Sequence, residues 1–264
     1  MNGKNRAILV VSFGTSYEET RKKTIDRIEQ DIREVYSDCA VYRAWTSGMI
    51  RRKVLKRDGI YIPDVREAME QMERDGIAEV IVQPTHVLNG IENDQMTEDV
   101  LAFEGRFDHI VTGAPLLTSQ EDNDRVVQAV LDELHPAADE ALVLMGHGTE
   151  HYANAVYAAL DYQFKDMGHK NIFMGTVEAY PSFDSLIKQV RAVHPRRVTL
   201  APFMIVAGDH ATNDLSGEEE DSWKSKFENA GFEVDCVLKG LGEYPGIRKV
   251  FLDHIASSIR KLEN

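Results

Sequence analysis

The sequence has few cysteines and no cysteine motif. Its 264 residues include only Cys39 and Cys236, each inside a strand-like apolar run and far from the other. Two separated cysteines exclude a disulfide scaffold, and the missing C-x-x-C pair argues against a thiolate zinc site or a redox motif. We therefore expect two buried free thiols in a reducing compartment, the cytoplasm.

Long apolar runs are also missing. No stretch of 18 apolar residues occurs, so the sequence predicts no transmembrane helix. The first residues place Lys4 and Arg6 before the short apolar run 7–13, which faintly resembles a signal peptide. That run is too short, and no small-residue cleavage site follows it. We interpret it as the first strand of the core.

Positive charge and nucleotide motifs are scarce. The chain has 30 Lys and Arg against 44 Asp and Glu, for a formal net charge of −14. Such a balance argues against binding to nucleic acid or to an anionic membrane surface. Neither a P-loop nor a G-x-G-x-x-G sequence is present, so we expect no nucleotide cofactor.

What the sequence does contain is a regular alternation of strand and helix patterns. We predict strands at 6–12, 39–45, 79–83, 109–112, 141–145, 172–177, 197–203 and 233–238. We predict helices at 17–36, 63–74, 93–104, 120–134, 150–167, 182–193, 213–230 and 246–262, with a basic connection after the second strand and a capping box of Ser16 with Glu19. Alternating strands and helices favour parallel sheets covered on both faces.

The two halves of the chain are also similar in sequence. Residues 80–84 (VIVQP) match residues 198–202 (VTLAP) at an offset of 118, which also aligns Gly90 with Gly208. We predict an α/β protein of two similar Rossmann- or flavodoxin-like halves, 1–136 and 137–264, each a four-stranded mostly parallel sheet flanked by helices. The last helix is a candidate for packing back on the first half. A cleft between such halves suits a large flat ligand.

Three candidate ligands follow successive strands of the second half. His147 lies in Gly146-His147-Gly148, and Glu178 and His210 follow the next two strands at gaps of 31 and 32 residues. Because parallel strands end at one edge of a sheet, this spacing brings the three side chains together. Each alone has an ordinary loop interpretation. Together, two imidazoles and a carboxylate suit Co²⁺, Ni²⁺, Fe²⁺ or Zn²⁺ and can accept protons near neutral pH.

Weaker candidates lie in the first half. The segment of Ser12, Phe13, Gly14 and Thr15 precedes a helix and can hold an anionic group with its backbone N–H groups. Basic side chains in an acidic chain can pair with ligand carboxylates, although a solvated helix face explains them equally well; they are Arg43, Arg51 and Arg52. His86 and Glu92 lie in the loop equivalent to that of His210. For His86, a satisfied loop histidine is the simpler interpretation.

These motifs resemble a known family over essentially the whole chain. The Gly-His-Gly-Thr stretch at 146–149, Val-Glu-Ala-Tyr-Pro at 177–181, Ala-Gly-Asp-His-Ala at 207–211 and the opening Val-Ser-Phe-Gly-Thr-Ser at 11–16 are similar to the anaerobic-type sirohydrochlorin cobaltochelatases of cobalamin biosynthesis. These are class II chelatases related in fold to ferrochelatase. The Gly-His-Gly-Thr and Gly-Asp-His-Ala pieces are specific in combination and weak singly.

The resemblance implies a function and a site. It implies ATP-independent insertion of Co²⁺ into sirohydrochlorin, with His147, Glu178 and His210 as metal ligands and proton-transfer groups. Fe²⁺, Ni²⁺ or Zn²⁺ are substitutes for the substrate metal. An iron chelatase acting on sirohydrochlorin or a porphyrin, or a non-catalytic tetrapyrrole or metal carrier, stays open as an alternative. The sequence also leaves a homo-oligomer open.

Overall fold

Two four-stranded sheets form the scaffold of the computed structural model, which describes residues 5–263. The first has the order β2-β1-β3-β4 and the second β6-β5-β7-β8, and every neighbouring pair is parallel. The strands are β1 (Arg6–Ser12), β2 (Ala40–Trp45), β3 (Glu79–Pro84), β4 (His109–Thr112), β5 (Glu140–Gly146), β6 (Ile172–Thr176), β7 (Arg197–Pro202) and β8 (Val234–Cys236). The predicted fold class is confirmed, and both sheets repeat one strand order.

Ten α-helices connect and cover the strands of the described chain. They are α1 (Glu18–Lys23), α2 (Ile25–Val35), α3 (Gly48–Asp58), α4 (Val65–Arg74), α5 (Ile91–Leu101), α6 (Gln120–Leu134), α7 (Ala155–Asp166), α8 (Phe183–Ala192), α9 (Trp223–Asn229) and α10 (Pro245–Glu263). Short 3₁₀ turns at Tyr152–Asn154 and Leu241–Glu243 and a π-turn at Ala211–Leu215 complete the connections.

The inner strands β1 and β5 are apolar between their first and last residues because both faces of each sheet are covered. In β1, Ile8 and Val10 pack on one face with the α2 residue Ile28, while Leu9 packs on the other with Met69 of α4. All five side chains are at most 1% exposed. Burying one such side chain stabilises the fold by about 2 kcal/mol, so the strands are fixed by helices on both sides.

The last helix contacts the first half of the chain. Helix α10 packs on α2, α6, β3 and β4, and Phe251 shares one apolar cluster with Ile8 of the first sheet and Leu142 of the second. His254 adds a polar contact, with Nδ1 3.0 Å from the Ala114 carbonyl oxygen and Nε2 2.8 Å from Asp122 Oδ1. The boundary between 136 and 137 stays a prediction.

The predicted helix over 17–36 and its capping box differ in the structure. The helix predicted over 17–36 is interrupted at Thr24, whose φ of −117° and ψ of −85° are not helical. Thr24 is fully buried, and its hydroxyl bonds back to the Thr20 carbonyl at 2.6 Å. The capping box of Ser16 with Glu19 is absent, because α1 has Tyr17 at its N-cap and no side-chain cap.

The basic connection after β2 is the helix α3. Ser47 accepts a hydrogen bond from the Ile50 amide at its start, and Gly59 ends it with a φ of +69°. Only Val54 of this helix is buried, so its apolar pattern was too weak to predict a helix. In the second half, the helix predicted over 213–230 is the π-turn at 211–215 and the shorter α9 at 223–229, separated by an acidic turn.

Arg43 has a structural role on the surface of the first sheet. Its guanidinium donates to both carboxylate oxygens of Glu29 at 2.6 and 2.8 Å and also to Asp26. Glu29 is completely buried and has one further ion pair, with Arg33 at 2.9 Å. Arg43 is therefore engaged in holding a buried carboxylate.

Replacing Arg43 with leucine should destabilise the fold. Arg43→Leu leaves Glu29 buried with less compensating charge, which should cost about 3 kcal/mol in the free energy of unfolding. Urea denaturation measures this loss, and the double variant with Glu29→Leu should recover most of it. A single variant as stable as the wild type would show that the ion pair does not support the fold.

Candidate metal site

Three loops of the second half meet at one edge of its sheet. They follow β6, β5 and β7, which are neighbours in the order β6-β5-β7. His147, Glu178 and His210 each offer one ligand atom, and these atoms lie within 4.8 Å of one another. Within residues 5–263 no other group of three or more His, Cys, Asp or Glu meets this spacing. The structure thus brings the predicted trio together.

Both imidazoles are oriented by a hydrogen bond at Nδ1. His147 Nδ1 donates to the Gly148 carbonyl at 2.8 Å, and His210 Nδ1 donates to Asp214 Oδ2 at 2.7 Å. Since a carbonyl or carboxylate only accepts, these partners assign the proton to Nδ1 and leave the Nε2 lone pair available as a ligand. The rings lie edge to face, with centroids 4.6 Å apart and planes at 88°.

The trio is open to solvent. The side chains of His147, Glu178 and His210 are 44%, 55% and 32% exposed. Glu178 Oε2 lies 3.7 Å from His147 Nδ1. This exposure leaves the ligand atoms accessible to a hydrated ion, unlike those of a closed structural site.

The glycines around His147 are required by close packing. A Cβ at Gly146 would lie 2.5 Å from Cε1 of Tyr157, which is buried beneath the loop. Gly148 has a φ of +87°, and a Cβ there would lie 2.9 Å from the Ala179 nitrogen. The loop of His147 and the loop of Glu178 therefore touch through backbone.

The first half contacts the loop of His210 directly. The Tyr17 hydroxyl donates to Asp209 Oδ1 at 3.0 Å, next to His210, and the Thr20 hydroxyl donates to the Ala207 carbonyl at 3.3 Å. Burial, with the Asp209 contact, raises the pKa of Tyr17. A separate cavity of about 520 Å³ is lined by residues of both halves, including Leu88 and Tyr152, and by none of the trio.

In the predicted loop after β1, only Phe13 exposes its side chain to solvent. Phe13 is 43% exposed, whereas Ser12 and Thr15 are buried. Ser12 Oγ accepts a hydrogen bond from Thr85 at 2.8 Å. Gly14 has a φ of +100°, and a Cβ there would collide with the Trp45 ring at 2.7 Å. Ser12 and Gly14 pack within their own half, whereas Thr15 reaches the second half, where a Cβ at Gly208 would lie 3.5 Å from its Oγ1.

The three arginines of the predicted basic patch differ in their contacts. Arg51 donates to the Ile62 carbonyl at 2.8 Å and to Asp64 at 2.9 Å, and it also pairs with Glu67. It is therefore engaged at the start of α4, as Arg43 is engaged with Glu29. Arg52 is exposed on α3.

His86 and Glu92 lie in the loop after β3 and at the start of α5. Glu92 is half-buried. His86 is 8% exposed, and neither ring nitrogen has a hydrogen-bond partner within the described chain. Burial lowers the pKa of His86 to about 4, with Glu92 and Asn93 acting in the opposite direction. His86 is therefore neutral and buried.

Sequence reasoning missed several residues around the trio. Asp214 lies four residues after His210, a spacing that identifies it as a partner once the turn is taken as helical. Asn154 bonds to the loops of both His147 and Glu178. No sequence signal identifies Asn154 or Tyr17, because each acts on a residue distant along the chain.

Comparison with known proteins identifies the family. A family model described as cobalt chelatase (CbiK) matches residues 6–260. The chain belongs to the cobalt chelatase family. It is 39% identical over 255 residues to a sirohydrochlorin cobaltochelatase of Salmonella typhimurium, covering 96% of each chain. It is 31% identical over 268 residues to sirohydrochlorin cobaltochelatase CbiKC of Nitratidesulfovibrio vulgaris, covering 98% of this chain and 92% of the relative.

Solved chelatase structures share the fold of this cobalt chelatase family member. The sirohydrochlorin chelatase SirB from Bacillus subtilis subspecies spizizenii, in complex with cobalt, matches with a TM-score of 0.66 at 13% identity. That match covers 98% of this chain and 97% of SirB. CbiX, described as the terminal enzyme of sirohaem biosynthesis in denitrifying bacteria, matches with a TM-score of 0.55 at 16% identity, over 96% of this chain and 99% of CbiX.

The helices of residues 5–263 include none with the length and apolar character needed to span a bilayer.

The buried His86 should make stability depend on pH. Its folded pKa of about 4 lies below the ordinary 6.5, so the unfolded chain binds the proton first as the pH falls. Stability is therefore complete above about pH 6.5 and falls by about 3 kcal/mol as the pH drops through the window to about 4. His86→Leu should remove this part of the pH dependence in urea denaturation between pH 7 and pH 4.

The exposed His109 provides the control for this measurement. His109→Ala should keep the wild-type pH dependence, since His109 is exposed at the start of β4. Parallel curves for His86→Leu and the wild type would contradict the assignment of a buried neutral imidazole.

Proposed function

We propose that this chain is a chelatase that inserts Co²⁺ into sirohydrochlorin without a nucleotide. The observation that carries the proposal is the convergence of two imidazoles and a carboxylate within 4.8 Å at one sheet edge. Membership of the cobalt chelatase family supports it, as do two relatives named sirohydrochlorin cobaltochelatase that align over nearly their full length.

The proposed ligands suit an ion that must be passed on. Nε2 of His147, Nε2 of His210 and the carboxylate of Glu178 would replace part of the hydration shell of the incoming Co²⁺. Imidazole and carboxylate bind such ions while leaving open positions for exchange, unlike a closed thiolate site. The exposure of all three side chains supports delivery of the ion to a second ligand, the tetrapyrrole.

Metal insertion also requires proton acceptors. Two pyrrole N–H protons leave the macrocycle as metal–nitrogen bonds replace them. A neutral imidazole or the Glu178 carboxylate can take a proton at the moment the metal leaves it, so one group would serve successively as ligand and base. The charge of the ion replaces that of the two protons, and this exchange needs no phosphoryl transfer.

The macrocycle would lie between the two halves. Binding its periphery would supply energy to bend the ring and expose nitrogen lone pairs to the ion. The exposed Phe13 and Arg52 and the half-buried Glu92 are the first-half side chains we propose to face it. Sirohydrochlorin has eight carboxylates, so a cationic group such as Arg52 would offset the strong negative charge of the protein.

We also propose which other metals the enzyme accepts, where it is located and how its two halves divide the task. Fe²⁺, Ni²⁺ and Zn²⁺ would substitute for Co²⁺ in vitro because they accept the same ligand types. The separated free thiols support a cytoplasmic location. The boundary near residue 136 would divide a first half that holds the macrocycle from a second half that holds the metal. We include association into a homo-oligomer in the proposal.

Removing one imidazole should abolish most of the activity. His210→Ala should lower kcat/KM for cobalt insertion by roughly 10²–10⁴-fold, because it removes both a ligand and a proton acceptor. The absorption spectrum of sirohydrochlorin during incubation with Co²⁺ measures the rate. His109→Ala is the matched control, since it removes an exposed imidazole outside the site.

Two outcomes would contradict the proposal. Unchanged turnover in His210→Ala would remove the site assignment. A wild-type chain that binds sirohydrochlorin and Co²⁺ without accelerating their combination would be a carrier.

A further inference from the structure

Asn154 joins two of the three ligand loops. Its Oδ1 accepts a hydrogen bond from the Thr149 amide at 3.1 Å, and its Nδ2 donates to the Tyr180 carbonyl at 2.6 Å. Thr149 is two residues from His147, and Tyr180 is two residues from Glu178. One side-chain amide therefore bridges the segments that carry two proposed ligands.

The bridge continues a ladder between these loops. Beyond the strand ends, the Val177 amide donates to the Gly146 carbonyl and the Glu178 amide donates to the His147 carbonyl, both at 3.0 Å. At the far end of the second loop, the Thr176 amide donates to the Pro181 carbonyl at 2.7 Å. These backbone hydrogen bonds fix the position of the Glu178 backbone, and Asn154 fixes the residues that follow Glu178 in the loop.

Asn154 does not use its side chain to cap the helix that follows it. Asn154 ends the 3₁₀ turn that leads into α7, and its φ of −54° and ψ of −28° are helical, so it lacks the extended conformation from which an asparagine caps a helix with its own oxygen. It makes no such cap here. Its amide oxygen and its amide N–H group bond to the two loops instead. The Thr149 partner is an N–H donor, and the Tyr180 partner is a carbonyl acceptor. Only a group with both functions satisfies this pair.

We infer that Asn154 is a positioning residue that sets the separation of His147 and Glu178, an inference that rests on the proposed function. It has no place among the ligands, and it acts through the two loops. Groups that orient metal ligands typically contribute 10- to 100-fold to metal affinity. The same contribution is expected here, because Asn154 bonds to both loops beyond the backbone hydrogen bonds that join them.

The sharpest test is Asn154→Asp. The carboxylate has nearly the same shape and keeps the bond from Thr149, but its second oxygen would face the Tyr180 carbonyl without a hydrogen. We expect the Kd for Co²⁺ and the KM for Co²⁺ to rise about 10- to 100-fold, with the KM for sirohydrochlorin unchanged within about twofold. The visible absorption of bound Co²⁺ should change as its geometry changes.

Asn171 offers a matched control. Its Nδ2 bridges two backbone carbonyls, those of Ala137 and Glu140, at 2.8 and 2.6 Å, at the opposite end of the same sheet. Asn171→Asp should lower thermal stability to a degree similar to Asn154→Asp, yet leave the Co²⁺ affinity and the Co²⁺ spectrum as in the wild type. The contrast separates a positioning role from a general loss of stability.

Each outcome bears on the inference. Asn154→Ala removes both hydrogen bonds without adding repulsion, and it should also weaken Co²⁺ binding. This variant replaces Asn154→Asp in the test if the aspartate variant does not fold. Wild-type Co²⁺ affinity and spectrum in either folded Asn154 variant, or an equal loss in Asn171→Asp, would overturn the role of Asn154 alone. A wild-type chain that binds no Co²⁺ would overturn the proposed site and this inference together.

Discussion

The parallel pairing of β5 with β6 and β7 is the constraint on which the site depends. Strands that run in one direction end at one edge, so the loops that follow them emerge side by side. His147, Glu178 and His210 lie on these three loops and approach within 4.8 Å although 63 residues separate the first from the last. The sheet supplies the convergence, and local hydrogen bonds supply the orientation.

The remaining structure supports that edge from two directions. The neighbouring loops of His147 and Glu178 touch where the backbones of Gly148 and Ala179 meet. A side chain at Gly148 would prevent this close approach. From the other half, Tyr17 contacts Asp209 beside His210. Helix α10 packs on elements of the first half, and its apolar face shares one cluster with residues of both sheets. A ligand between the halves would therefore meet walls that are joined through a common core.

Much of this arrangement could be predicted from sequence because its signals are local and repeated. Continuous apolar runs identify β1, β3 and β5, and the recurrence of a polar loop residue after three successive strands of the second half identifies the trio. What could not be predicted depends on partners distant along the chain. Arg43 and Arg51 are typical ligand-binding residues by type, yet carboxylates on neighbouring helices engage both. The interruption at Thr24 lies where this buried residue packs against Gly242 of the second half, a contact that no periodicity in 17–36 reveals.

Anomalous diffraction at the cobalt absorption edge, from crystals soaked in Co²⁺, tests the central claim most directly. The account predicts one strong peak within bonding distance of Nε2 of His147, Nε2 of His210 and a carboxylate oxygen of Glu178. A peak bonded to other residues, or no peak among these three side chains at saturating Co²⁺, would contradict it.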